Sequence, residues 1–182
     1  MDTLGVVESR GIAAGAELAD GMVKAGQVEL IRAGTICSGR FLIFVSGDRA
    51  AVEAAVSSAS ESGRPLAGSF VISHISPLVM AALKRAPAQI LGTAVAVVEC
   101  RNVSSGVVAA DRAVKRSDVQ IARFVAGQGI NGKSYFVLTG DVAAVREASD
   151  AARESLGGHL LDLVVIPAPD PAVARALING LR

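Results

Sequence analysis

The chain has 182 residues, 51% of them apolar, with five Phe, one Tyr, no Trp and a formal net charge of +1. This balance excludes the basic footprint of a nucleic-acid-binding protein and the polybasic run that binds anionic membranes. Small aliphatic side chains also cannot build a large aromatic pocket for a drug-sized ligand. The sequence lacks a signal-peptide pattern, an apolar run of about 18 residues and a disulfide framework. We therefore expect a soluble cytoplasmic protein.

The first half of the chain predicts a split βαβ arrangement. Gly26 is placed to end the first helix, Asp48 to cap the second, and Pro77 to open the third. A glycine-bounded loop is expected between the second and third strands. The predicted strands are 4–8, 28–31, 41–45 and 70–72, the loop is 34–39, and the helices are 13–24, one starting at Asp48 and 78–84. The order βαββαβ plus a terminal helix is that of a ferredoxin-like domain.

The second half of the chain repeats the first. Residues 4–28 return at 95–119, and residues 39–52 return at 132–145. A repeat of this length is a whole domain rather than a solenoid unit of about 20 to 50 residues. The predicted strands are near 94–99, 119–125, 133–139 and 160–166, and the helices near 104–116, 141–156 and 171–178. A closed ring of three such chains would present six alternating domains.

These patterns predict an α+β protein of two tandem domains. We place the first domain at 1–86, a linker at 87–93 and the second domain at 94–182. Pro87 discourages helix in the residue before it, which supports a break there.

No catalytic constellation emerges, so we do not expect an enzyme. His74 and His159 stand outside any metal-ligand spacing and are expected to be exposed. Glu8 and Glu99 end equivalent strands, and a structural role fits them better than acid–base catalysis. The glycine-bounded loops are not dinucleotide fingerprints, because each is followed by a strand rather than a helix.

The two cysteines have different expected environments. Cys100 ends a buried strand and is expected in the core. Cys37 lies in a glycine-flanked turn, where its thiol is either an unremarkable loop side chain or an accessible ligand. Lys24 and Lys115 each follow an Asp by four residues, a spacing that indicates an ion pair on a helix surface or a repeated external contact.

Several stretches resemble the tandem-domain class of bacterial microcompartment shell proteins, called BMC-T. They are 5–11, 19–24 and 38–52 in the first copy, and 109–115 and 132–142 in the second. The resemblance covers essentially the whole chain. It implies a homotrimer that mimics a hexagonal tile and packs edge to edge with other shell proteins around sequestered enzymes. The implied location is the shell of a cytoplasmic microcompartment, with encapsulated redox enzymes as candidate partners.

Within that class, the turn 35–39 is most similar to that of the iron–sulfur-bearing shell proteins of propanediol-utilisation compartments. This resemblance implies that Cys37 from three subunits holds one 4Fe-4S cluster on the threefold axis. The cluster would serve either electron transfer across the shell or the restoration of clusters to encapsulated enzymes, and the sequence does not choose between them. Ser38 stands where those proteins have Pro. Thiolates are the usual ligands of such clusters.

The same resemblance implies a central pore and tile edges. The edge arginine typical of the family is absent from both copies, so the implied edge residues are Lys24 and Lys115. The implied pore-lining residues beside Cys37 are Gly34, Thr35, Ile36, Ser38, Gly39, Gln128, Gly129, Ile130, Asn131 and Gly132.

Two alternatives to a cluster-bearing tile remain open. One is a shell tile without a cluster, whose pore conducts small metabolites. The other is a regulatory module of paired ferredoxin-like domains that senses a small molecule, since fold alone does not decide function. A free-standing redox enzyme is disfavoured, because the chain lacks a second ligand set and a substrate-sized apolar pocket.

Overall fold

The structure is a computed structural model, and it describes residues 3–84 and 89–179. Most of the linker expected between the domains at 87–93 is described, but residues 87 and 88 lie outside the described ranges. No helix within the described ranges is both long and apolar enough to cross a membrane.

The first repeat has the predicted βαββαβ order followed by a terminal helix. A short 3-10 helix, Cys37–Gly39, joins its second and third strands. The elements are β1 (Thr3–Ser9), α1 (Ile12–Ala25), β2 (Glu29–Ile36), β3 (Arg40–Gly47), α2 (Arg49–Glu61), β4 (Leu66–Ile72) and α3 (Pro77–Leu83). The strands form one antiparallel sheet in the order β2-β3-β1-β4.

The second repeat folds in the same order. A 3-10 helix, Gly157–His159, precedes its last strand. The elements are β5 (Ala94–Cys100), α4 (Val103–Arg116), β6 (Gln120–Ala126), β7 (Ser134–Gly140), α5 (Val142–Leu156), β8 (Leu160–Pro167) and α6 (Pro171–Asn179). The sheet order is β6-β7-β5-β8. Both sheets carry a register shift at the same place, between Leu30 and Arg32 and between Ile121 and Arg123. The predicted α+β fold of two ferredoxin-like domains is confirmed.

Two predicted element boundaries in the first repeat are wrong. β2 continues through Gly34, Thr35 and Ile36, which were expected in a loop, because these residues pair with β3. β4 begins at Leu66 rather than near residue 70, because its first half pairs with β1 although it has little apolar pattern. Pairing with a neighbouring strand, rather than local sequence, sets both ends.

The predicted helix ends agree in position with the structure, although their chemistry differs. Gly26 follows α1 with an extended backbone (φ −136°), and its N–H donates to the carbonyl of Met22. Asp48 is the residue before α2, but its side chain makes no capping hydrogen bond. Pro77 opens α3, which is capped instead by the hydroxyl of Ser76, 3.3 Å from the Leu78 nitrogen.

In the first repeat the core lies between one face of the sheet and helices α1 and α2. Gly15 allows α1 to approach β3 closely, because a Cβ there would overlap the side chain of Phe41. The buried residues of this core are Val7, Leu18, Ala19, Met22, Ile43, Val45, Val52, Ala55, Val56 and Ala59. In the second repeat a smaller cluster of Val95, Ala122 and Val137 packs with Leu177 and Ile178 near the chain end.

The chain divides into two compact units that do not coincide with the two repeats. The first unit comprises the described part of 1–75 with 102–104 and 127–132. The second unit comprises the described residues of 76–101, 105–126 and 133–182. The start of α4 and the β6–β7 turn therefore belong to the first unit, and α3 belongs to the second. The domain boundaries 1–86 and 94–182 stay predictions.

Candidate functional site

The turn that carries Cys37 lies at the end of β2. Its backbone reverses through left-handed conformations at Ser38 (φ 67°) and Gly39 (φ 72°), and the Ser38 hydroxyl donates to the carbonyl of Cys37. Glycine adopts such angles without steric cost, whereas Ser pays a modest penalty. This tight reversal leaves Cys37 only partly buried.

The first unit brings the second predicted pore segment, 127–132, against this turn. The Cys37 N–H donates to the carbonyl of Gly127 at 3.1 Å. The Gly129 N–H donates to the Cys37 sulfur at 3.0 Å. Four residues of the segment have positive φ, namely Gly127, Gly129, Asn131 and Gly132. The two segments predicted to line a pore are therefore neighbours in the fold, although their role as pore lining stays a prediction.

The environment of Cys37 suits a thiolate that ligates a metal centre. A backbone amide that donates to the sulfur is one of the ways proteins tune iron–sulfur clusters. A Cβ added at Gly34, Gly39 or Gly129 would meet nothing within 4 Å, so space is open beside these three glycines, whereas Gly127 and Gly132 pack tightly against the turn. The residues present therefore fit a cluster held by one thiolate from each of several chains. Within the described residues, no group of three or more His, Cys, Asp or Glu side chains could hold a metal ion.

Glu8 is a fully buried anion in the first unit, and its partners were not predicted from the sequence. Its Oε1 accepts from the Arg40 guanidinium at 2.8 Å. Its Oε2 accepts from the backbone N–H groups of Val103 (3.0 Å) and Ser104 (3.1 Å) and from the Ser104 hydroxyl (3.2 Å). A carboxylate at the start of α4 is favoured by the helix dipole and by the unsatisfied N–H groups there. The expected structural role of Glu8 is confirmed.

The second repeat carries the same ion pair in an open setting. Lys133 stands where the first copy has Arg40, and its ammonium donates to Oε1 of Glu99 at 2.9 Å. Both side chains of this pair are partly exposed. A sequence signal for both pairs was available. A cation follows the glycine in both copies (Arg40 and Lys133), and an acid ends the first strand of both copies (Glu8 and Glu99).

The two lysines predicted at tile edges form the expected ion pairs on their helices. Lys24 contacts Asp20 at 2.6 Å on the exposed face of α1, and Lys115 contacts Asp111 on α4. The Lys24 pair is solvated, which limits its contribution to folding to about 0.3 to 0.5 kcal/mol. Their role at an edge stays a prediction.

The remaining candidates lie as the sequence predicts. Cys100 is fully buried, and this burial raises the pKa of its thiol to about 12. His74 and His159 are both exposed.

Comparison with known proteins gives matches over nearly the whole chain. The BMC domain family matches residues 3–77 and 94–169. The bacterial microcompartment shell protein PduT of Citrobacter freundii is 37% identical over 180 residues, which cover 97% of this chain and 98% of that protein. The carboxysome shell protein CcmK2 of Synechococcus elongatus is 42% identical over 71 residues, covering 39% of this chain and 70% of that protein.

A solved structure shows the same architecture. The crystal structure of a microcompartment protein from Desulfitobacterium hafniense DCB superposes with a TM-score of 0.84 and 36% sequence identity. The match covers 96% of this chain and 99% of that one. Both repeats are therefore shared with that protein.

Proposed function

Because this chain belongs to the BMC-domain family as a tandem-domain shell protein of bacterial microcompartments, we propose that it is a trimeric facet tile with a 4Fe-4S cluster at its centre. The family is structural, so the chain is a building unit of a shell rather than an enzyme. We place this shell in the cytoplasm. Membership in this family favours the tile over the small-molecule sensor.

The tandem repeat supports the trimer. Each chain contributes two similar domains, and an interface between different surfaces of successive copies generates a ring when the rotation closes. Three chains then supply six domains, the number needed for a hexagonal outline. Such tiles pack beside other shell proteins, and the solvated lysine on α1 is our candidate for that edge contact.

The observation that carries the cluster assignment is the geometry of Cys37. The residue is only partly buried, its sulfur accepts a hydrogen bond from the backbone N–H of Gly129, and space is open beside Gly39 and Gly129. A threefold axis would convert this single thiolate into three ligands, as the resemblance of the turn 35–39 implies. A bound cluster supplies one-electron transfer. The chain's own contribution is to hold the sulfur and donate a hydrogen bond to it.

Iron analysis after anaerobic purification tests this assignment. We expect about four irons and four sulfides per three chains, with the broad visible absorbance of an iron–sulfur cluster. The Cys37→Ala variant should lose iron and colour while the trimer persists. Cys100→Ala is the matched control and should keep both. Iron that persists in Cys37→Ala at the level of the control would contradict the assignment.

A second candidate is a cluster-free pore for small metabolites. A cavity of about 220 Å³ lies beside the turn, and its lining includes Arg32, Thr35 and Gln128. These polar groups would favour small polar or anionic solutes. A trimer that contains no iron after anaerobic purification would support this candidate over the cluster.

A further inference from the structure

The two repeats are unequally buried at matching positions, and this difference identifies a surface for a second copy of the chain. We propose that the copies bind head to tail, with Glu99 of one copy capping the N-terminus of α1 in the next. In the same contact, the start of α6 in the first copy packs beside Asp20 in the next. This inference rests on the proposed trimer and specifies the residues that close it.

The first observation is the capping of α4. Within the first unit, Glu8 accepts from the N–H groups of Val103 and Ser104, which begin that helix. The equivalent helix α1 begins at Ile12, and its N-cap residue Gly11 makes no side-chain capping hydrogen bond. Glu99 occupies the position of Glu8 and uses Oε1 for its lysine, as Glu8 uses Oε1 for its arginine.

The remaining oxygen of Glu99 is therefore suited to the same acceptor role. A helix start with unsatisfied N–H groups attracts a carboxylate. Repeat equivalence pairs Val103 and Ser104 with Ile12 and Ala13. Glu99 is partly exposed, and the residues Ile12 and Ala13 are exposed. Their counterparts, Glu8 with Val103 and Ser104, are joined by hydrogen bonds within one chain.

The second observation concerns the aspartates of the same two helices. In the second unit, Asp111 of α4 accepts from the N–H of Ser76 at 2.8 Å, and its side chain is 4% exposed. The equivalent Asp20 of α1 is 64% exposed. The counterpart of Ser76 is Asp170. Each directly precedes a proline that opens a terminal helix, and each lies two residues after a residue of positive φ, His74 or Ala168. The Asp170 N–H of a second copy is thus the expected donor to Asp20.

The third observation is that apolar side chains exposed in one repeat are buried in the other. In the second unit, α3 packs against β6. Val79 of α3 and Ile121 of β6 are both buried. The equivalent residues of the other repeat lie on α6 and β2. The matched pairs are Ile12 (47% exposed) with Val103 (0%), Leu30 (45%) with Ile121 (6%), and Val173 (49%) with Val79 (0%).

These three observations share one explanation. Each exposed group has a counterpart in the other repeat that is buried by a contact within the chain. The same contact, made by a second copy of the chain, would bury the exposed groups. Burial of exposed aliphatic side chains supplies the driving force, and the two carboxylates fix the register. The contact joins different surfaces of the two copies and is therefore heterologous.

The test uses two variants that damage opposite sides of this contact. Glu99→Arg places a cation at the positive helix end, and Ile12→Asp places a carboxylate opposite Glu99 while leaving α1 a favourable acidic first turn. The molar mass of each is measured by size-exclusion chromatography with light scattering, under conditions in which the wild type does not form sheets. We expect each variant alone to fall from three chains to one chain of 18.5 kDa.

Mixing the two variants gives the decisive result. Each retains the side that the other has lost, so a one-to-one mixture should form complexes of at least two chains through the restored native contact. The introduced Arg and Asp side chains face each other with opposite charges, so they do not oppose this association. Association on mixing also shows that both variants are folded. Glu147→Arg, which makes the same charge change at an exposed ion-paired glutamate of α5, should remain a trimer.

The outcomes separate this inference from the proposed function. A monomeric wild type would contradict the trimeric tile itself. A trimeric wild type with a trimeric Glu99→Arg variant would overturn the inferred contact and leave the tile intact. Two monomeric variants that fail to associate on mixing would also overturn it.

Discussion

Replacing Glu8 by Gln tests how strongly the buried carboxylate stabilises the first unit. Gln has nearly the same shape, but its amide nitrogen is a donor where the carboxylate accepts from α4 at 3.0 to 3.2 Å. Either those N–H groups or the Arg40 guanidinium then lose their acceptor. An unsatisfied buried donor costs about 1 to 3 kcal/mol, and breaking a buried ion pair costs about 3 to 5 kcal/mol. We expect a loss of about 3 to 5 kcal/mol.

Thermal unfolding followed by circular dichroism measures this loss. At about 2 to 4 °C per kcal/mol for a chain of this size, the Tm of Glu8→Gln should fall by about 10 °C. Protein concentration must be held constant, because association raises the apparent stability. The control is Glu147→Gln, whose exposed pair with Arg116 contributes at most about 1 kcal/mol. Equal melting temperatures for the two variants would refute the reasoning.

Three further predictions concern the thiols, the lattice and the β6–β7 turn. Burial raises the pKa of Cys100 to about 12. Iodoacetamide at about pH 8 should therefore modify only Cys37 in the folded, iron-free protein. Mass spectrometry should then show one adduct per chain. Because that pKa lies above its usual value of 9.0, stability should fall as pH rises from 9.0 towards about 12, less so in Cys100→Ala. Lys24→Ala should weaken sheet formation seen by electron microscopy without dissociating trimers, and an unchanged lattice would remove this residue from the edge. Gly127→Ala should cost more than about 2 kcal/mol, because its φ is +75° and a Cβ would overlap a neighbouring side chain. Gly129→Ala shares that φ but has open space, so it should cost less; equal losses would contradict the steric argument.

The sequence indicated most of the secondary structure because the repeat supplied two independent patterns for the same fold. Apolar runs marked β1, β3, β5 and β7, which are central strands with buried side chains. Strands at the sheet edges were less evident, as β2 and β4 show. Their ends depend on pairing with a neighbour, and small residues such as Gly34 and Gly68 carry little apolar signal.

The candidate site was only partly predictable for a similar reason. Composition and position marked Cys37 as accessible and Cys100 as buried, since both properties follow from the local pattern of the chain. The hydrogen bond from the Gly129 N–H to the Cys37 sulfur could not be deduced, because no local pattern in the turn 35–39 or in the segment 127–132 indicates that the two lie next to each other.

The amino-acid sequence was sufficient to show that two copies of one α+β domain follow each other and that equivalent acids end equivalent strands. The different environments of these acids became evident from the folded chain, in which Glu8 is buried against the start of α4 while Glu99 stays partly exposed beside its lysine. A repeated pattern specifies the same local fold twice. The partner of a charge depends instead on which segments the complete chain brings to it.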